Sequence, residues 1–302
     1  MFIVENRTWF FLFTGLLTVA AILALVIWTP KLSIDFTGGS LVEVAYTDAR
    51  PYITEIQATL EGAGFTEATV RESGDKGMAI RTSTLTPERH DALLIALGED
   101  GHRMLTESRF TSIGPSLGNE LSTKALYALL SVIVAIVLYI AWAFRKVSRP
   151  VSSWAYGITV IVILVHDILV PAGFFAIYAH FTGVQADTLF VVALLAILGY
   201  SVNDTIVIFD RVREHLGKNE KTGARQDFAE VVGRSITETL GRSINTSLTV
   251  VLALTALAFF GSPVTLEFAL VLLAGVIAGT YSSILLAAPL LVPLSKFFTK
   301  RA

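Results

Sequence analysis

Residues Thr188 to Phe209 read TLFVVALLAILGYSVNDTIVIF, a stretch with one formal charge, Asp204, and no proline. A helix needs about 20 mainly apolar residues to cross the hydrocarbon core of a bilayer, so this stretch reads as a membrane span. Working outward, five further runs have the same character: Trp9–Trp28, Ala125–Phe144, Trp154–Tyr178, a run starting between Thr237 and Asn245 and ending near Phe260, and Phe268–Leu294. The first is too long and evenly apolar for a signal h-region, and Thr29-Pro30-Lys31 offers no small-residue cleavage site, so it is expected to stay as an anchor. Composition agrees. The 302 residues are 53% apolar and only 16% charged, with mean hydropathy +0.66, against about 25% charged in soluble domains. The fold class expected is a polytopic α-helical membrane protein with six transmembrane helices.

The same composition excludes several function classes. A net charge of −2 argues against a basic nucleic-acid binder. The absence of cysteine removes disulfides, Cys-ligated zinc, iron–sulfur clusters and thiol nucleophiles, and five histidines leave little for a metal site. No cofactor is expected.

Lysine and arginine set the expected orientation. With the N-terminus inside, the inner side holds Arg7, Arg145, Lys146, Arg149, seven basic residues from Arg211 to Arg242 (Arg225 among them), and Lys296, Lys300 and Arg301. The short outer loops, residues 179–187 and 261–267, hold none. Both termini are therefore expected to be cytoplasmic.

This divides the chain into residues 1–30 with the first span, an extracytoplasmic domain over residues 31–123, and residues 124–302 with spans two to six. Within the domain, Ser40–Thr47, Ala68–Glu72, Met78–Thr82 and Arg103–Ser112 read as strands. Tyr52–Leu60 reads as a helix with Ile53, Ile56 and Leu60 on one face, and Thr86-Pro87-Glu88 opens a second helix. The order β-α-β-β-α-β is the ferredoxin-like pattern. Gly38 and Gly39 are expected to make a tight connection at positive φ. Residues Arg225–Leu240 place Phe228, Val231, Val232, Ile236 and Leu240 on one face, which predicts an amphipathic helix on the inner membrane surface.

Ionisable side chains inside spans cost about 3 kcal/mol near the bilayer centre, so Asp167 and Asp204 need a reason. The plainer reading of Asp204 is a packing contact or a residue close enough to the border to reach water. Its surroundings favour function: Tyr200 and Ser201 lie on the same helical face, and Asn203 is adjacent. In the fifth span Arg242, Asn245, Thr246 and Thr249 recur at helical spacing as a polar stripe, and a guanidinium facing Asp204 would hold its carboxylate ionised. Alternatively, Arg242 marks the membrane border by snorkelling. His166 and Asp167 point about 100° apart on a helix, so they are not expected to serve one small site. A structural role for His166 is as open as a relay role. Gly275 and Gly279 form a small-xxx-small pair suited to close helix packing.

Enzyme signatures are lacking: there is no His-Glu-x-x-His, Gly-x-Ser-x-Gly or phosphate-binding lysine loop, and an intramembrane aspartyl protease wants Gly-x-Gly-Asp where this chain reads Tyr200-Ser-Val-Asn-Asp204. The chain is not expected to be an enzyme.

Four stretches carry a resemblance to a known family: Asp35-Phe-Thr-Gly-Gly39, His166-Asp167, the run from Gly199 to Glu214, and Arg242-Ser-Ile-Asn-Thr-Ser-Leu-Thr249. At these residues the sequence resembles the SecF family of bacterial protein-export subunits, within the resistance-nodulation-division superfamily, over the whole chain. The resemblance implies a heterodimer with SecD in the cytoplasmic membrane. That unit would use a proton or sodium gradient to draw unfolded preproteins out of SecYEG, with YajC as a further partner. It places the coupling pair on Asp204 and Arg242, with Asp167, His166, Asn203, Asn245, Thr246 and Thr249 as surrounding candidates and Asp35, Gly38, Gly39 and Gly199 as structural motif positions. The alternative is half of a pump of the same superfamily exporting small amphiphilic molecules.

Overall fold

The computed structural model describes residues 2–98, 101–144, 153–223 and 226–299. In chain order the elements are α1 (Phe2–Glu5), α2 (Arg7–Ile27), α3 (Ile34–Thr37), β1 (Gly39–Tyr46), α4 (Ile53–Gly62), β2 (Thr69–Ser73), β3 (Gly77–Thr82), α5 (Pro87–Leu97), β4 (Leu105–Ile113), α6 (Pro115–Ala143), α7 (Ser153–Thr182), α8 (Thr188–Thr222), α9 (Phe228–Phe260), α10 (Pro263–Ser282), a π-helical turn (Ser283–Ala287) and α11 (Ala288–Thr299). They fall into two compact units. Lys31–Leu126 with Gly183–Thr188 makes one, and Met1–Pro30, Tyr127–Thr182 and Leu189–Ala302 make the other. Arg145, Lys146, Arg149, Arg225, Lys300 and Arg301, part of the basic asymmetry, lie outside the described residues.

The smaller unit has the expected β-α-β-β-α-β order. Its four strands form an antiparallel sheet in the order β2-β3-β1-β4, so β1 lies in the middle and the β2–β3 hairpin flanks it. Strand periodicity sends Val42, Val44 and Tyr46 to one face, where they bury with Met78 and Ile80 against Ile56 and Leu60 of α4 and Leu93 and Leu97 of α5. Thr86 caps α5 by accepting from the Arg89 amide, with Pro87 in the first turn. The Tyr46 hydroxyl donates to the Leu97 carbonyl at 3.3 Å, which satisfies a polar tip in the core.

Gly38 and Gly39 have φ of 74° and 123°, as their sequence context predicts. A Cβ on Gly39 would also lie 2.7 Å from the Thr82 carbonyl oxygen. Gly39→Ala is therefore expected to destabilise this unit by about 1–3 kcal/mol, seen as a lower midpoint of thermal unfolding. Gly62, in α4 with open space around it, is the control position.

The larger unit is helical. Six helices among the described residues are long and apolar enough to cross a membrane, and they overlap the six runs read from the sequence, the second and fifth starting nine or more residues earlier: Arg7–Ile27, Pro115–Ala143, Trp154–Thr182, Thr188–Thr222, Phe228–Phe260 and Thr265–Phe297. The chain is a multi-pass membrane protein by this measure. Three of these helices are half-buried or more in their most apolar stretch, while Pro115–Ala143 reaches only 6% and Phe228–Phe260 11%. So α7, α8 and the α10–α11 run form the helical core. By contrast, α6 and α9 present Leu138, Trp142, Leu248, Leu252 and Phe259 outward. In the core, Phe144, Tyr156 and Phe209 stack and meet edge to face. Close approach needs small residues: a Cβ on Gly173 would lie 2.6 Å from the Ala21 Cα, and one on Gly279 3.0 Å from the Ser201 Cβ.

One expectation is corrected. The segment before the fifth span is not a separate helix on the membrane surface; it is the first part of α9, which runs unbroken from Phe228 to Phe260. No proline interrupts it. Its apolar face, Val231, Val232 and Ile236, is buried with Val4, Ile208, Val212, Ile284 and Val292. The hydrophobic stripe was read correctly, but neighbouring helices cover it. Likewise α8, at 35 residues, is about 52 Å long and exceeds the ~30 Å hydrocarbon thickness.

Candidate functional site

The site grows from α8. Its buried face carries Ser201, Asp204 and Thr205 in place of the aliphatic residues one turn earlier. Asp204 is only 3% exposed, and its Oδ2 has no hydrogen-bond partner among the described residues. A buried carboxylate oxygen without a donor is costly, and it is a place where a proton or a cation binds. Asn203, on the adjacent face, is exposed, as is Gly199, which has open space where a side chain would stand.

The face that α9 turns inward differs from the one expected. Ser235, Thr239, Ser243 and Ser247, spaced every four residues, are all buried. The Ser235, Thr239 and Ser247 hydroxyls donate back to carbonyls one turn earlier. Arg242, Asn245 and Thr249 are exposed and Thr246 is half-buried. No ion pair joins Arg242, which is exposed, to the buried Asp204 in this structure. Adjacent residues differ by about 100° around a helix, so Ser243 pointing inward turns Arg242 aside. The every-fourth-residue Ser/Thr series is visible in the sequence beside the stripe through Arg242, and packing selects it as the inward face. At its centre the Tyr200 hydroxyl donates to Ser247 Oγ at 3.0 Å, and the Thr280 hydroxyl of α10 does so at 2.6 Å.

His166 and Asp167 also depart from expectation, because the structure joins them at one site. His166 Nδ1 and Asp167 Oδ1 are 2.7 Å apart. Asp167 Oδ2 accepts from the Ser201 hydroxyl of α8 and, at 2.9 Å, from the Ser282 hydroxyl of α10. His166 Nε2 meets the Tyr281 hydroxyl at 3.2 Å. The 100° between the two Cβ directions is bridged because the imidazole reaches round to its neighbour, and α10 lies against both. Asp167 is completely buried, and its carboxyl group has two hydroxyl donors and the His166 ring as polar partners.

Two further features were missed from sequence. Glu238 of α9 gathers Arg211 at 2.5 Å, His215 at 2.9 Å and Arg234 at 2.9 Å, tying the ends of α8 and α9 together. In the smaller unit the Asp35 carboxylate accepts from the Thr188 amide at 3.0 Å and its hydroxyl at 2.9 Å. Beside it Arg81 donates to the Leu32 carbonyl, Gln185 and Thr37. Partial burial lowers the Arg81 pKa, from a value high enough to leave it charged. The Asp35–Thr188 and Arg81–Gln185 contacts join positions more than a hundred residues apart, which no local pattern reports.

Residues 96–296 match the family model described as protein export membrane protein SecD/SecF, C-terminal. The chain is 37% identical over 292 residues to the protein translocase subunit SecF of Anaerolinea thermophila, covering 96% of this chain and 92% of that one. The chain belongs to the SecF family. The SecF of Thermobaculum terrenum is 38% identical over 303 residues, with 96% and 92% coverage. The crystal structure of SecDF, a translocon-associated membrane protein from Thermus thermophilus, superposes with a TM-score of 0.82 at 32% identity. It covers 97% of this chain, while this SecF-family chain spans 38% of that SecDF chain. The family's relatives are named as translocase subunits, a transport role.

Proposed function

We propose that this SecF-family chain is one half of an ion-driven accessory motor of the Sec translocase, working with SecD in the cytoplasmic membrane. The observation that carries the reading is Asp204: a carboxylate buried in α8, one oxygen unpartnered, next to the hydroxyl cluster of Ser247, Tyr200 and Thr280. Asp204 alternates between ionised and ion-bound forms, and Arg242 is the cation whose approach favours the ionised one. Asn245, Thr246 and Thr249 line the same helix as Arg242 and offer it alternative partners when Asp204 is neutral. A proton crossing the membrane supplies about 2.3 kcal/mol per 100 mV.

The placement of the other parts is part of the same reading. Residues 31–123 form an extracytoplasmic ferredoxin-like domain that meets unfolded preproteins leaving SecYEG, with YajC as an accessory partner, and both termini are cytoplasmic. The zero count of lysine and arginine in residues 179–187 and 261–267 supports this orientation. The outward apolar residues of α9 and α6, and the match to only part of a longer SecDF chain, support a SecD partner.

The decisive experiment is export into vesicles carrying this chain and SecD, with and without an ion gradient. A gradient-dependent gain in export is expected, and export indifferent to the gradient overturns the motor. Topology has its own test. The chain has no cysteine, and Asp75 is exposed in the β2–β3 turn, so Asp75→Cys supplies a single reactive thiol. It is expected to react with an impermeant maleimide added outside intact cells. Labelling only after the cytoplasm is opened would place the domain inside.

A further inference from the structure

Beyond Asp204, the core holds a second titratable cluster that the motor reading leaves unused. We propose that His166, Asp167 and Tyr281 form a separate proton-binding site, whose occupancy is tied to the position of α8 through the hydroxyl of Ser201. The donor inventory carries the argument. Asp167 Oδ2 accepts from the Ser201 and Ser282 hydroxyls while Oδ1 faces His166 Nδ1, and in this proposal Asp167 is the ionised acceptor of that contact. His166 Nδ1 therefore carries a hydrogen, and Nε2 faces a tyrosine hydroxyl that can serve as donor or acceptor. With neutral His166, the Tyr281 O–H donates to Nε2 and the cluster bears a net charge of −1. When a proton binds Nε2, that N–H donates to the Tyr281 oxygen, the hydroxyl hydrogen turns away, and the cluster becomes neutral. No heavy-atom contact breaks in either state. The added proton balances the buried negative charge of Asp167.

The surroundings leave these groups to decide the titration. Against α7 at the pair pack α2, with the Phe13 ring on Tyr281; α8, with Ser201; and α10, with Tyr281 and Ser282; the π turn and α11 also pack on α7. Among the described contacts of these elements, Tyr281 is the titratable side chain turned to His166, and the next carboxylate is Asp204, one turn beyond Ser201. Tyr281 alone in the cluster is not fully buried, which makes it the entry point. The helix widens to a π turn directly after Ser282, a feature frequent at functional sites.

Coupling follows from shared backbone. Neighbours Tyr200 and Ser201 on α8 serve the Ser247 cluster and Asp167 respectively, and Thr280 and Ser282 on α10 divide in the same way. A shift of α8 that alters the surroundings of Asp204 therefore also alters the donors on Asp167.

Nitrogen-15 NMR of the histidine-labelled full chain in lipid tests this, with His166→Gln identifying the resonance. His166 is expected to pass between a neutral ring protonated at Nδ1 and an imidazolium as the pH is lowered. Ser201→Ala and Tyr281→Phe, which keep the helix and the ring, each move the midpoint by about one pH unit, the equivalent of one hydrogen bond. A single protonation state throughout, or variants titrating at the wild-type midpoint, overturns the proposal. The readout does not depend on export, so failure of the Asp204 motor and failure of this site are separately visible.

Discussion

Asp204→Asn is expected to abolish the gradient-dependent part of export while the protein still inserts and binds SecD. Asparagine has the shape of the protonated acid and cannot ionise, so it fixes one state of the cycle. The cost to folding is modest, because Oδ2 has no partner to lose and an amide is cheaper to bury than a charge. The loss in function is large. One proton at 100 mV is worth about 2.3 kcal/mol, which corresponds to about a fifty-fold bias in the driven direction. Asp204→Glu keeps a titratable group but displaces it by one methylene, so partial activity is expected. Vesicle export with the two variants, each measured with and without a gradient, checks both. If the asparagine variant exports at the wild-type rate under a gradient, Asp204 is a packing residue and the motor reading fails.

Gly275→Leu is expected to give the largest structural defect. Even a Cβ at this position would lie 2.2 Å from Cδ1 of Ile197, a residue with no exposed surface, so α10 and α8 cannot keep their present separation. Overpacking of this kind costs about 1–3 kcal/mol, occasionally more. Because α10 and α8 carry Ser282 and Ser201, which both donate to Asp167 Oδ2, separating these helices keeps the two donors from reaching that oxygen together. Thermal unfolding of the purified complex should show the loss. Ile197→Ala in the same chain should recover part of it, giving a coupling energy of about 0.5–3 kcal/mol. Strict additivity of the two substitutions would mean that the helices do not meet there.

The division between local and tertiary information is visible in particular elements. The existence of the six long helices follows from run length and hydropathy, and both are properties of contiguous sequence. The sheet unit was legible for the same reason. Strand alternation, the Thr86-Pro87 helix start and the two positive-φ glycines each act within a few residues. Asp204 and Asp167 were also identifiable, since a carboxylate inside an apolar run stands out wherever the run packs.

The rotation of α9 about its own axis was not legible. Two polar stripes run along that helix about a third of a turn apart, one through Arg242, Asn245, Thr246 and Thr249 and the other through Ser235, Thr239, Ser243 and Ser247, and local propensity does not rank them. Packing does: small hydroxyl residues bond to their own backbone and let a neighbouring helix approach, whereas arginine and asparagine do not fit such a face. The union of His166 with Asp167 had the same origin, since it needs α10 beside α7 to bring Tyr281 and Ser282 to them. Contiguous sequence is enough to mark the runs long and apolar enough to span, the segments of the sheet and the carboxylates set inside apolar runs, because length, hydropathy and alternation are local properties. Only the tertiary structure decided which partners those carboxylates meet, because partner choice depends on helix rotation, and rotation is fixed by contacts between residues far apart in the chain.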